Sequence, residues 1–224
     1  LARGKRRSAL GGFFDLAGDE WMGGVEAVAC DVNSDCERAF RERYPHVAVV
    51  FDRFHLVRNL NENVIGEARK DLRRELVEAG DQEGARRLKR TKYLLMALRP
   101  TREQWECRET GPRGPSEKQA SLFCGEAGPR WQAGPESAVR HRELVASNEL
   151  LFAADPVKDT LSLAYESHGP RQMRELIGHA AGICHGTGGR HFAWFARLLE
   201  SHMDGICAHA LHPVTSGKVE GTDK

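Results

Sequence analysis

The side chains best placed to do chemistry in this chain are acids that stand at the ends of apolar runs. Asp31 follows Val25 to Cys30, a run of mostly β-prone residues that stops abruptly at the carboxylate. A second run, Val47 to Phe51, leads straight into Asp52-Arg-Phe-His55, which brings an acid and an imidazole close together on the first turn of the helix that follows. Glu220 sits in Ser216-Gly-Lys-Val-Glu220-Gly near the end of the sequence. The carboxyl ends of parallel strands are where sites collect in α/β sheets. Each residue also has a plainer use. Asp31 could be a turn residue in Asp-Val-Asn-Ser, His55 a half-buried histidine bonded to Asp52, and Glu220 a helix-start acid favoured by the helix dipole.

Sulfur and nitrogen ligands are less promising. Cys184, His185, Cys207, His209 and His212 are metal-binding types at poor spacing: adjacent Cys184 and His185 cannot easily converge on one tetrahedral ion, and the other three point to different helix faces. Core cysteines and surface histidines are expected in place of a zinc module. The six cysteines (Cys30, Cys36, Cys107, Cys124, Cys184 and Cys207) form no tight C-x-x-C pair, and reduced thiols are expected. Basic pairs recur between Arg69 and Lys92. Among them Arg86, Arg87, Lys89 and Arg90 are candidates for contact with DNA phosphates, against the alternative of a solvated face balanced by Glu67, Asp71, Glu75 and Glu78.

The elements that must carry these residues follow from periodicity. Ala9, Leu10, Phe13, Phe14 and Ala17 predict a short helix over 8–17 that Gly18 ends, and 25–30 a buried strand. Ser34 and Glu37 form an S-x-x-E capping box for a helix that Pro45 terminates, and 47–51 reads as a second strand. Strand, helix and strand within so few residues imply a crossover onto a parallel neighbour. Exposed helices are expected over 67–92. Between Cys107 and Ser137, nine of the thirty-one residues are Gly or Pro, which predicts irregular structure. Apolar spacing returns from Leu144 onward, and the strongest helix is predicted from about Arg190 to Leu211, where Pro213 ends it.

At 224 residues, 40% hydrophobic and 29% charged, with mean hydropathy −0.52, the chain can bury a sizeable core and lacks the composition of a disordered segment. No run approaches the ~18 apolar residues of a membrane span, and a cytoplasmic, nucleoid-associated location is expected. The net charge of +1 decides nothing about nucleic acid, because local clusters of Lys and Arg set that affinity.

Three stretches carry a resemblance to a known family. Val25 to Asp31, Val49 to Asn61 with the phrase VVFDRFHLVRNLN, and Val214 to Lys224 with the phrase SGKVEGTDK together resemble the bacterial insertion-sequence transposases of the ISL3 group. The last looks like that family's (N/S)-G-x-x-E-G-x-N-x-K block, with Asp223 where the pattern has Asn. The likeness extends more loosely over Ser8 to Leu60 and Ser147 to Lys224. Residues 107–137 have no place in the family pattern.

What the resemblance implies is an α/β fold: a partial RNase H-like core interrupted by a long all-helical insertion. Residues 1–60 would be the core, 61–213 the insertion, and 214–224 the start of the core helix bearing the last acid. Such enzymes hold two Mg²⁺ ions roughly 4 Å apart on three carboxylates, to cut and join DNA. By the family's order Asp31 is the second catalytic Asp and Glu220 the final Glu, both metal ligands, with Asp52 and His55 as an accessory motif. The alternative makes Asp52 the second Asp. Asp15, Asp19 and Glu20 lie on or after a helix and do not qualify as the first Asp, which is expected upstream of Leu1. The chain is therefore expected to be a fragment inactive by itself. Its parent would bind transposon ends and target DNA as a homo-oligomer. Alternatives are a non-catalytic helical DNA-binding or interaction module, or a decayed remnant.

Overall fold

The structure is a computed structural model that describes residues 7–32, 34–107 and 134–214. The chain opens with helices α1 (Arg7–Ala17) and α2 (Asp19–Gly23), strand β1 (Ala27–Cys30), helix α3 (Ser34–Arg43) and strand β2 (Ala48–Phe51). Helix α4 (Arg53–Asn59) passes through a π-helical turn (Leu60–Ile65) into α5 (Gly66–Glu78), followed by α6 (Gln82–Arg87), α7 (Lys92–Met96) and α8 (Arg99–Cys107). Then come α9 (Pro135–Ala146), α10 (Glu149–Glu166), α11 (Pro170–Gly186), α12 (Arg190–Ser201), α13 (Met203–Cys207) and a 3₁₀ turn (Ala208–Ala210). No described helix is long and apolar enough to cross a membrane. Two compact units result: Leu1–Ala68 with Pro156–Lys224, and Arg69–Asp155.

In the first unit the two strands pair in parallel, with Ala27 opposite Ala48 and Cys30 opposite Phe51, and α3 makes the crossover, as the sequence predicts. The class is α/β with a small sheet and much helix. Aromatic packing holds the crossover: the Phe14 ring of α1 meets Phe40 and Tyr44 edge-on at 5.0 and 5.1 Å. Tyr44 also donates to Asp19 Oδ1 at 2.6 Å. On the other side Val50 and Phe51 are fully buried together with Leu56, Leu60, Phe192, Phe195, Leu199 and Ile206. Helices α11 and α12 pack on each other, α12 packs on the π-helical turn, and α13 lies against β2.

The structure departs from the sequence expectations in two local ways. The helix predicted through 190–211 breaks at His202, whose backbone leaves the helical region (φ −116°, ψ 18°). Its ring lies edge-on to Phe51 at 5.0 Å, and its Nδ1 is 3.4 Å from Glu37 Oε2. Tertiary contacts thus outweigh the helical register, which local spacing cannot foresee. The Glu37 carboxylate on α3 takes Arg41 at 2.5 Å and His202. Cys30 at the strand end and Cys36 on the first turn of α3 are joined as a disulfide. Reduced thiols are found at Cys107, Cys184 and Cys207.

In the second unit α8 packs on α9, and Ala85, Leu88, Leu94, Leu95, Trp105 and Leu144 are buried. Arg102 ties this packing, donating to Ala97 O at 2.8 Å and to Asp155 Oδ1 at 3.2 Å. The acids of α5 are largely occupied locally, Arg74 reaching Asp71 at 2.8 Å and Glu78 at 4.0 Å.

The contact of α13 with β2 requires a glycine. A Cβ at position 205 would stand 2.5 Å from Cε2 of Phe51, a fully buried ring with no free direction to move. Gly205→Ala is expected to destabilise the fold by about 1–3 kcal/mol through overpacking, read as a lowered urea midpoint; an unchanged midpoint would show that this helix is not seated on the strand.

Candidate functional site

The candidate residues are positioned by the ends of two strands. Pairing continues one step beyond the sheet, where the backbone N–H of Asp52 donates to Cys30 O at 3.2 Å. Asp31 and Asp52 therefore leave the carboxyl edge of neighbouring strands side by side in the chain's register. Their side chains meet different fates.

Asp52 is turned inward and is 1% exposed. It is the N-cap of α4, with extended backbone (φ −66°, ψ 130°), and its Oδ1 accepts from Phe54 N at 3.0 Å. The cap satisfies one of the orphan donors of the first turn and starts the helix cleanly. That helix carries His55 on its first turn. Its imidazole reaches Asp31, not Asp52: Nε2 lies 2.5 Å from Asp31 Oδ1. The Asp31 side chain is 36% exposed and that of His55 14%, so the pair sits at the rim of the strand edge, with the carboxylate open to solvent and the imidazole mostly covered. A hydrogen bond of this kind fixes the carboxylate's rotamer.

A second group surrounds Asp52. Arg53 donates to Ser162 Oγ at 2.9 Å and its guanidinium lies 5.7 Å from the Tyr165 ring centre. Burial, then the Asp52 charge, holds the Tyr165 phenol well above its ordinary pKa. The His209 ring meets Tyr165 edge-on at 4.9 Å. Burial pushes the His209 pKa down, with Asp52 opposing that shift. Sequence spacing could not reveal this cluster: Tyr165 sits among Leu161, Leu163 and Ala164 as one more apolar mark on a helix, and more than a hundred residues separate it from Asp52.

Other sequence candidates are dispersed. Cys184 is buried and its thiol is pushed up to about 12 by burial, which makes it an inert core residue. His185 pairs with Glu200 at 2.9 Å on the surface, Cys207 donates to Met203 Sδ at 3.7 Å, and His209 is held at Tyr165. Asp15 and Asp19 are engaged with Arg43 and Tyr44. Glu220 lies outside the described residues. Among the described residues no three His, Cys, Asp or Glu side chains gather in a way that could hold a metal ion. Asp31, part-exposed and oriented by His55, has the oxygen-donor chemistry of a divalent-metal ligand. By themselves the described residues offer an ion that ligand and no complete set.

Comparison with known proteins bears on the chemistry. A model of the ISL3 DDE transposase family (Transposase) matches residues 1–224. The chain is also similar to the transposase for insertion sequence element IS1001 of Bordetella parapertussis, at 23% identity over 221 residues, which is 99% of this chain and 46% of that protein. The chain thus spans about half the length of that curated relative. No solved structure matches.

If Asp52 serves mainly as a cap, Asp52→Ala should cost about 1–2 kcal/mol of stability, whereas Asp52→Asn, which retains an acceptor oxygen, should cost distinctly less. Urea melts of the two variants make the comparison, and equal losses would refute the capping role.

Proposed function

Because the chain belongs to the ISL3 family of transposases, we propose that it forms part of a DDE-type catalytic domain that cuts and joins DNA at the ends of an insertion sequence, using Mg²⁺. Transposases of this kind generally use a divalent metal, and DNA is their partner. In this reading β1 and β2 are neighbouring strands of an RNase H-like core. Residues 1–60 and 214–224 belong to that core and 61–213 to a helical insertion, within which Arg69–Asp155 is compact by itself. The acting form is a homo-oligomer in the cytoplasm, on the nucleoid.

Asp31 and Glu220 are the metal ligands of this proposal. The observation that carries it is the Asp31–His55 pair at the edge of the parallel strands. Asp31 is the more accessible of the two strand-end acids, whereas Asp52 is buried and caps α4, which favours Asp31 over Asp52 as the second catalytic Asp. His55 is a positioning residue that orients the carboxylate, and Asp52 in turn fixes the helix start that presents His55. Divalent metal, when bound, supplies the Lewis acidity that activates an attacking hydroxyl and stabilises the departing oxygen. The protein's own contribution is to hold carboxylates whose mutual repulsion only cations relieve.

The test is strand transfer by the element's full transposase on a donor carrying its ends. Asp31→Asn and Glu220→Gln are each expected to abolish it, His55→Ala to lower it ~10–100-fold while raising the Mg²⁺ needed, and Asp52→Asn to leave most of it. Abolition by Asp52→Asn with activity kept in Asp31→Asn would reverse the assignment. Residues 1–224 alone are expected to bind DNA without transferring strands; Mg²⁺-dependent transfer by that chain would refute the reading of it as inactive by itself.

A further inference from the structure

The turn that joins α6 to α7 gathers cations without acids. Between Arg86 and Tyr93 the chain reads Arg-Arg-Leu-Lys-Arg-Thr-Lys-Tyr, and Arg86, Arg87, Lys89, Arg90, Lys92 and Tyr93 are all exposed, Tyr93 at 81%. Arg87 is engaged with Glu83 at 2.6 Å, and the charges of Glu143 and Asp81 also act on it. Arg86, Lys89, Arg90 and Lys92 form no ion pair among the described residues.

The turn is held rigidly from behind. Leu88 and Thr91 are buried and act as its anchors. Three successive backbone carbonyls accept from side chains: Arg140 reaches Arg87 O at 3.3 Å and Lys89 O at 3.0 Å, while Arg69 and Thr91 reach Leu88 O at 3.1 and 2.8 Å. Arg90 sits at φ 61°, in the left-handed region where glycine is the easier residue. A surface loop under selection for stability alone would favour glycine there. An arginine in a strained position, on a turn tied down at three carbonyls, with uncompensated charge on either side, is a surface arranged to present cations.

We propose that this turn, Arg86 to Tyr93, is a DNA-backbone contact, with Arg86, Lys89, Arg90 and Lys92 each against a phosphate and Tyr93 stacking on an unpaired base beside the duplex. The partner rests on the transposase reading above. The surface does not. Phosphate contacts of this kind position a protein without reading sequence, and they are released with counterions as salt rises. Tyrosine stacking is equally sequence-tolerant.

The experiment measures binding of the 224-residue chain to a blunt duplex and to the same duplex with a single-stranded tail, across a salt series. Replacing Arg86, Lys89, Arg90 and Lys92 with Ala is expected to weaken duplex binding at least tenfold at ~0.1 M salt and to flatten the slope of log K against log salt by about 3 to 4. Removing four other exposed cations (Arg38, Arg58, Arg171 and Arg197) should change the slope much less. Equal effects of the two quadruple variants would reduce the turn to general charge and overturn the proposal, as would unaltered binding. Arg90→Gly separates function from folding: it should leave the unfolding midpoint unchanged or raised while weakening binding, and a lowered midpoint with unchanged affinity would overturn the role given to Arg90. Tyr93→Ala should weaken binding to the tailed duplex more than to the blunt one; equal loss would overturn stacking. None of these readouts requires metal or strand transfer, so the binding surface and the catalytic reading can fail separately.

Discussion

Parallel pairing of two short strands is the constraint on which the first unit depends. The register that sets Cys30 opposite Phe51 makes both strands end at the same level, and the bond from Asp52 N to Cys30 O carries that level one residue further. Asp31 and Asp52 are adjacent for no other reason. Slipping the register by one residue would send alternate side chains to the opposite face of the sheet and separate His55 from Asp31. The helices after residue 156 serve the same end: α13 closes on Phe51 through Gly205, while α12 covers the π-helical turn that continues from α4.

Burial then divides the labour between two chemically identical carboxylates. A buried Asp must have its oxygens satisfied, and Asp52 accepts from the first turn of the helix that it starts. Using the oxygen this way makes it a structural acid, although the Asp52 charge is still felt by Tyr165 and His209. Asp31, with more of its side chain in solvent, incurs less desolvation and is oriented by His55. The two acids are linked through α4, since the cap of one aims the imidazole that orients the other. The disulfide joining Cys30 to Cys36 brackets the same Asp31 between strand end and helix start.

The second unit follows a different logic. Its helices bury Leu88, Leu95, Trp105 and Leu144, and in α5 and α6 Asp71 and Glu78 pair with Arg74 and Glu83 with Arg87. The turn after α6 gathers four cations that form no ion pair among the described residues. There hydrogen bonds are used to fix the backbone, not to neutralise the side chains, and an arginine occupies a conformation that costs it strain.

The sequence by itself determined the elements and the family. Abrupt ends of β-prone runs at Asp31 and Asp52, the helix between them and the parallel crossover are written in local periodicity, and the D-x-F-H phrase is a specific motif; such features depend on residues a few positions apart. Tertiary structure decided everything that depends on distant partners. Which acid His55 would bond, whether the helix after Arg190 would run through His202, where the Glu37 carboxylate would go, and which basic residues would be left without counter-ions all turn on groups far along the chain. Spacing encodes the direction in which a side chain leaves its own helix or strand. It does not encode what stands opposite, and pairing, capping and desolvation energies depend on that.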